Sequence, residues 1–364
     1  MDFQEKIRVM HFVTGGFSGA TQVAIDLCMA AKHDGFEVLL VLRKKRNTSH
    51  QKIQELIQQG LDVRVVSNWL HALTVWELQK IMRNWRPDYF FAHGFSDHIW
   101  GRRAAVAEKV PNIFHVEHNS RERYTTMRLK QSLALMPLTR ASIGVSEGVR
   151  ESLIQRGFDA AKCVAIPNGV ELSRFPESLM PADFVQRDNA VLMASRFARQ
   201  KDHATLVQAI GLLQKQGIRI PLYLAGSGKE RLQQKIRDTV NGLGLAEQVH
   251  FLGNVANLPD RLSRVRIFVL ATHWEGMPLA LVEAMAAGCA CIVSDVIGAR
   301  EVIVDGETGL LVPESDPQAL AYAIHRLSTD VTLAERLSIA ARAQALSQYG
   351  RDAMWQKYRA LLQP

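Results

Sequence analysis

The sequence predicts an α/β protein made of two tandem, Rossmann-like doubly wound domains facing across a cleft. Three observations predict it. The chain has 364 residues, more than one core comfortably serves and suited to two domains. Short apolar runs alternate with helix-like segments from Ile7 onward, the pattern of a parallel sheet covered on both faces. The alternation restarts after a stretch from Ser178 to Asn189, where Pro181 and polar residues cluster just past Pro176. The expected domains are 1–180 and 181–347, with a C-terminal helix over about 348–364 packing back on the first.

The elements follow in order. Ile7 to Val13 reads as a buried strand, Gly15-Gly16 as the turn that ends it, and Ala20 to Lys32 as a helix closed by Gly35. Phe36 to Leu42 is the second strand. Val63 to Val66, Tyr89 to Ala92, Ile113 to Val116 and Ser142 to Val145 follow as short apolar strands with helical segments between. The second half offers strands at Val191 to Ser195, Leu222 to Ala225, Val249 to Leu252, Ile267 to Ala271 and Cys289 to Ser294. Helices are expected near about 203–216, 229–242, 278–287 and 316–329, and a last, broken helix over about 331–362. Ligands of such sheets bind beyond the carboxyl ends of the strands, so the space between the domains is the expected site.

Composition excludes several classes. Hydrophobic residues make up 47% and charged residues 22%, so both halves can bury ordinary cores. Met1 to Lys6 is polar and leads straight into a strand, which does not read as a secretory signal. The longest apolar stretch, Leu279 to Val296, is interrupted by Glu283 and Gly288 and makes a poor membrane span. A cytoplasmic protein, peripheral on the inner face of the membrane, is the expectation. Cys28, Cys163, Cys289 and Cys291 lie in apolar contexts without zinc spacing and read as reduced core residues.

The net charge is +8. Most of the excess lies in the N-terminal half, at Arg43-Lys44-Lys45-Arg46, Arg83 with Arg86, Arg102-Arg103, and Arg121 to Lys130. Each cluster reads either as a solvated surface or as a face for an anionic bilayer or acceptor. Aromatic residues are not interleaved with them and no recognition motif is present, so nucleic acid is not an expected partner.

The richest segment is His273-Trp274-Glu275-Gly276-Met277-Pro278-Leu279, running on to Glu283 and Met285. It follows a predicted strand, at a carboxyl end. Pro278 suits the first position of a helix, and the free N–H groups of Leu279 and Ala280 behind it would attract phosphate. Glu275 and Glu283 flank that anion site, where carboxylates suit sugar hydroxyls better than phosphate. Glu275 taken alone fits an acidic loop equally well. Arg196 and Lys201, after another strand, offer cations for a departing diphosphate. The chain contains no Asp-x-Asp pair, so no metal is expected. Gly15-Gly16 alone fits a tight turn, and no acid ends the second strand, which argues against a dinucleotide site.

Glu275 and Glu283, seven residues apart within Glu275-Gly276-Met277-Pro278 and Glu283-Ala284-Met285-Ala286-Ala287-Gly288, resemble the E-x7-E motif of the retaining glycosyltransferase family 4, whose fold is called GT-B. Ser195-Arg196-Phe197 with Lys201-Asp202 is similar to a second element of that family. Leu224 to Gly228, Val249 to Gly253, Asp305 to Pro313 and Ile166 to Val170 resemble others, in the same order. The resemblance implies that Glu283 binds the donor ribose, Glu275 lies near the transferred sugar, Arg196 and Lys201 bind diphosphate, and His118 touches the donor sugar. It further implies donor contacts at Gly15, Gly16, Gly226, Gly253, Asn254, Gly276, Met277, Pro278 and Leu279.

The function implied is retaining transfer of a hexose or N-acetylhexosamine from a nucleotide-sugar, expected to be a UDP-sugar. The acceptor would be a hydroxyl of a glycan or lipid-linked glycan, in lipopolysaccharide, capsule or other surface-polysaccharide synthesis. No cofactor is expected, the nucleotide-sugar being substrate. An anionic inner-leaflet surface is an expected partner. Another GT-B enzyme, such as a sugar-nucleotide epimerase or a phosphorylase, and a non-catalytic nucleotide-sugar-binding module are the alternatives. Among other histidines, His11 and His115 read as strand residues, and His93 and His98 as flanking a loop, Gly94 to Asp97, that faces the acceptor.

Overall fold

A computed structural model describes residues 6–94, 97–121, 124–180 and 183–363. The chain divides into two compact units, Met1–Gly169 with Arg351–Pro364, and Val170–Gly350. Pro181, Phe95, Ser96, Arg123 and Met1 to Glu5, all used in the sequence reading, lie outside the described residues.

The first unit is built on seven parallel strands: β1 (Arg8–Thr14), β2 (Glu37–Arg43), β3 (Asp62–Val66), β4 (Tyr89–His93), β5 (Asn112–Glu117), β6 (Ala141–Gly144) and β7 (Cys163–Ala165). Their order is β3-β2-β1-β4-β5-β6-β7, so the winding direction reverses between β1 and β4. Every residue of β4 is buried, as expected of a strand covered on both faces. Met10, Phe12, Leu39, Val41, Phe90 and Ala92 form one core cluster. The C-terminal helix Arg351–Ala360 also belongs to this unit. Its Trp355 is 3% exposed, meets Phe36 edge-on with centroids 5.4 Å apart, and donates its indole N–H to Asp34 at 2.9 Å.

The second unit repeats the plan with β8 (Asp188–Ala194), β9 (Leu222–Ala225), β10 (Val249–Gly253), β11 (Val265–Leu270), β12 (Ala290–Ser294) and β13 (Leu310–Val312). The order is β10-β9-β8-β11-β12-β13. Its reversal falls between β8 and β11, which places the ends of those two strands where ligands of open α/β sheets bind. All four cysteines are buried and free. Burial pushes the Cys289 thiol up to about 12, as suits inert core residues.

Strand positions agree with the apolar runs within a few residues, and both sheets are doubly wound. Several details differ. The edge strand β13 and the helix Leu258–Arg264 match none of the apolar runs or helical segments read from the sequence. The edge strand β7 has three residues, too few for a periodic signal. The last predicted helix is two, Val331–Gln348 and Arg351–Ala360. Pro278 is the residue before its helix, at φ −81° and ψ 104°, and the helix runs Leu279–Ala286. With ψ extended, the Pro278 carbonyl accepts from Leu281 at 3.1 Å and Val282 at 3.3 Å, so the proline caps the helix and does not fill its first turn.

Candidate active site

The switch point of the second sheet gathers the strongest group of predicted residues. The loop after β8 is fastened to the end of β11 by backbone bonds. Asp202 N–H donates to Ala271 at 3.0 Å and His273 N–H to Gln200 at 2.9 Å. Asp202 then starts the helix His203–Lys215 by accepting from the Thr205 N–H at 3.1 Å. This fixes Lys201 opposite Glu275. Lys201 Nζ pairs with Glu275 Oε1, with side chains only 13% and 7% exposed. Thr272 Oγ1 donates to the same oxygen at 2.8 Å, and Gln200 Nε2 to Glu275 Oε2 at 3.1 Å. Glu275 is therefore oriented by neighbours from two loops.

Arg196 stands differently. It is exposed and makes no hydrogen bond or ion pair among the described residues. Its neighbours are anchored: Ser195 Oγ lies 3.2 Å from His203 Nε2, and Phe197 stacks on His203 at 4.2 Å. Burial pushes His203 down to about 4, so this support is neutral at physiological pH. A guanidinium held on an anchored turn, with no internal partner, is available to an anion.

Glu283 lies in the helix Leu279–Ala286, 16% exposed at its side chain, and pairs with Arg174 Nη1 at 2.9 Å. Burial raises the Glu283 carboxyl above its usual range, and Arg174 pulls it back. The N–H groups of Leu279 and Ala280 open the same helix and take no acceptor among the described residues. Gly276, Met277 and Pro278 before it are buried. Gly298 packs so tightly on the Gly276 carbonyl that a Cβ there would collide with it.

The glycines sort into two kinds. Gly226, at φ +131°, lies against the Ser195 carbonyl with no room for a Cβ, and donates to Gly253 at 2.7 Å. Gly15 donates to the Arg43 carbonyl at 2.8 Å, and a Cβ on it would sit 2.8 Å from that oxygen. These two are required by backbone packing. Gly16 has nothing nearer than 3.8 Å to a Cβ, and Gly253, at φ +63°, has nothing within 4 Å. Asn254 beside it is exposed.

His118 belongs to the first unit, directly after β5, and is half-buried. Its Nε2 lies 2.9 Å from His93 Nδ1, and its backbone N–H donates to Glu117 Oε1 at 3.0 Å. The loop flanked by His93 and His98 includes Phe95 and Ser96, which lie outside the described residues; the two histidines themselves are not at the surface. Both are fully buried, because His93 ends β4 and His98 opens the helix Asp97–Ala107.

The structure thus brings Lys201, Glu275, Gly276 and Pro278 to the end of β11, and Arg196 and Gly226 to the ends of β8 and β9. Sequence reasoning missed Thr272, Gln200 and Arg174. Thr272 and Gln200 carried a weak signal as polar residues beside the motif residues. Arg174 carried none, since 109 positions separate it from Glu283.

Comparison with known proteins fits this geometry. Residues 17–174 match Glycosyltransferase Family 4, and residues 178–344 match Glycosyl transferases group 1. The chain belongs to these glycosyltransferases. The lipopolysaccharide core biosynthesis glycosyltransferase LpsE of Rhizobium meliloti is 24% identical over 367 residues, 98% of this chain and 99% of that protein. An exopolysaccharide phosphotransferase of Streptomyces coelicolor is 33% identical over 204 residues, which span 55% of this chain and 20% of that longer protein. Among solved structures, HepE of Anabaena in complex with UDP and glucose superposes with a TM-score of 0.85 at 19% identity, over 98% of this chain and 99% of that one. The fold is that of the GT-B glycosyltransferases.

Replacing Arg174 with leucine is expected to destabilise the protein by about 1–3 kcal/mol at neutral pH, since a buried carboxylate loses its charged partner. A raised folded pKa means that the folded state holds the proton longer. Stability tied to Glu283 is therefore full below the ordinary carboxyl value of 4.5 and falls as pH rises through the raised one. Denaturant unfolding across that range should show a steeper loss with rising pH in the variant. Parallel pH profiles for the two proteins would contradict it.

Proposed function

We propose that this protein transfers a sugar, with retention at the anomeric carbon, from a UDP-sugar to a hydroxyl of a lipid-linked glycan in bacterial surface-polysaccharide synthesis. The observation that carries the reading is the arrangement at the switch point of the second sheet: Arg196 open to an anion, Lys201 paired with Glu275, and the free helix N–H groups of Leu279 and Ala280. A UDP-sugar as donor is supported by the UDP and glucose found with HepE, and a surface glycan as product by the name of LpsE.

In this reading Arg196, Lys201 and the helix end receive the diphosphate as charge develops on it. Glu283 binds the ribose, and Glu275 aligns the transferred sugar. The acceptor oxygen forms its bond to the anomeric carbon on the face from which the diphosphate oxygen departs, and its proton passes to a leaving phosphate oxygen. Fixed cations and helix dipole supply the charge that a metal would otherwise provide, so the reaction runs without one. The transferred group is a hexose or N-acetylhexosamine.

The expected effect of Glu275→Gln is a loss of about 100-fold or more in kcat, the scale of one preorganised electrostatic contact, measured below the variant's melting temperature, which falls because Lys201 loses its buried counter-charge. The assay is release of UDP in excess chelator with a lipid-linked glycan acceptor. A kcat close to that of the unaltered enzyme would defeat the site.

Among the described residues no helix is long and apolar enough to cross a membrane. The surface of the first unit nevertheless carries Trp69, Leu70 and Trp76, which are 83%, 56% and 58% exposed. Lys80, one turn along the helix His71–Trp85, sits 5.8 Å over the Trp76 ring. Exposed Lys44 bonds through its backbone to Val66, just before this segment. Exposed tryptophan beside lysine fits the headgroup region of an anionic leaflet. Pelleting with anionic vesicles is expected to exceed pelleting with neutral ones and to fall several-fold in the double variant Trp69→Ala, Trp76→Ala. Equal pelleting in all cases would contradict the surface.

A further inference from the structure

The first unit holds a chain of three imidazoles that joins its core to the predicted sugar contact. His11, in β1, and His93, at the end of β4, are fully buried, and His118 after β5 is half-buried. His11 Nδ1 lies 3.0 Å from His93 Nε2, and His93 Nδ1 lies 2.9 Å from His118 Nε2. The strands place them: β4 pairs with both β1 and β5, which sets His11 from mid-β1, His93 from the end of β4 and His118 from just past β5 within bonding distance in turn.

A neutral imidazole carries one ring proton, so each ring donates once and accepts once. Burial holds all three rings neutral, His11 and His118 at about 3 and His93 well below its ordinary value. Three rings linked by two hydrogen bonds then have two possible arrangements. In one, His118 donates inward from Nε2, His93 donates onward from Nε2, and the last proton sits on His11 Nε2. That atom is buried and has no partner among the described residues, so the arrangement strands a buried donor. In the other, every proton points the opposite way. His11 and His93 donate from Nδ1, and His11 Nε2 is left as a bare lone pair. Buried N–H groups without acceptors are rarer and costlier than acceptors short of a donor, so the second arrangement prevails.

The same rule accounts for a neighbouring histidine. Tyr124 donates its hydroxyl proton to Glu117 Oε2 at 3.1 Å, so at 2.9 Å it accepts from His98 Nε2, and the unpartnered His98 Nδ1 is again a lone pair.

We infer that His11 and His93 are positioning residues that lock His118 as its Nδ1–H tautomer, so that it offers a hydrogen-bond donor, not a base, to an oxygen of a bound ligand. Which ligand oxygen that is rests on the proposed sugar transfer; the tautomer does not. A locked donor cannot take the acceptor's proton, which leaves that proton for the departing phosphate.

The test is ¹⁵N–¹H correlation spectroscopy of the full protein labelled at histidine nitrogens, with the His118 signals identified by their loss in His118→Gln. The expected spectrum shows a protonated, pyrrole-type Nδ1 and a bare Nε2 on His118, whether or not sugar transfer is detected. His93→Phe, which removes the donor to His118 Nε2, should turn this into a mixture of tautomers, and His93→Asn, which keeps a donor near the Nδ1 position, should restore it. A protonated Nε2 on His118 in the unaltered protein would overturn the inference even if neither variant folds. So would an unshifted His118 tautomer in folded His93→Phe.

Discussion

The Lys201–Glu275 ion pair is the contact on which the second unit's working edge depends. Each partner sits on a loop after a different strand, and the two strands are the ones between which the winding reverses. Taking two such charges out of water is costly, and Thr272 and Gln200 offset part of that cost by donating to the carboxylate as well. Deleting either charge would leave the other buried without its counter-charge. The backbone bonds that tie Gln200 and Asp202 to the end of β11 hold this geometry before any ligand arrives. Preorganisation of this kind is what lets a site stabilise developing charge without rearranging.

The predicted site residues of the two units are supported differently. The second uses ion pairs, Lys201 with Glu275 and Arg174 with Glu283. Around its histidines the first uses neutral hydrogen bonds, with rings stacked as well as bonded: His98 lies 4.0 Å from His115, and His93 5.2 Å from His118. The first unit also buries an ion pair, Arg43 with Asp97, away from these rings. Gly226 and Gly15 sit where one loop's backbone must lie directly on another, so they shape the strand ends and are not spare room for ligand.

Much of the fold was legible because the strands of a doubly wound sheet are continuous apolar runs. Val38 to Leu42 and Ile267 to Leu270 need no context to be read. The short edge strand β7 was not legible, since three residues set no period. Motif spacing found Glu275, Glu283, Arg196 and Lys201, but not what they touch. Lys201 and Glu275 are 74 positions apart, and His11 and His93 are 82. Such pairings are set by strand order, which local pattern does not encode. The carboxylates pictured as open sugar ligands prove to be paired with cations. Pro278 moved one place for a local reason, because its extended ψ makes it a cap.

The central claim is that this edge binds a diphosphate through side-chain charge. Calorimetric titration of UDP and of uridine, against the unaltered protein and Arg196→Ala, tests it most directly, because Arg196 is exposed and has no internal partner whose loss would confuse the result. A charged hydrogen bond is worth about 1.5–3 kcal/mol, so UDP affinity should fall about 10- to 100-fold while uridine affinity is unchanged. Equal UDP affinity in the two proteins would contradict the account.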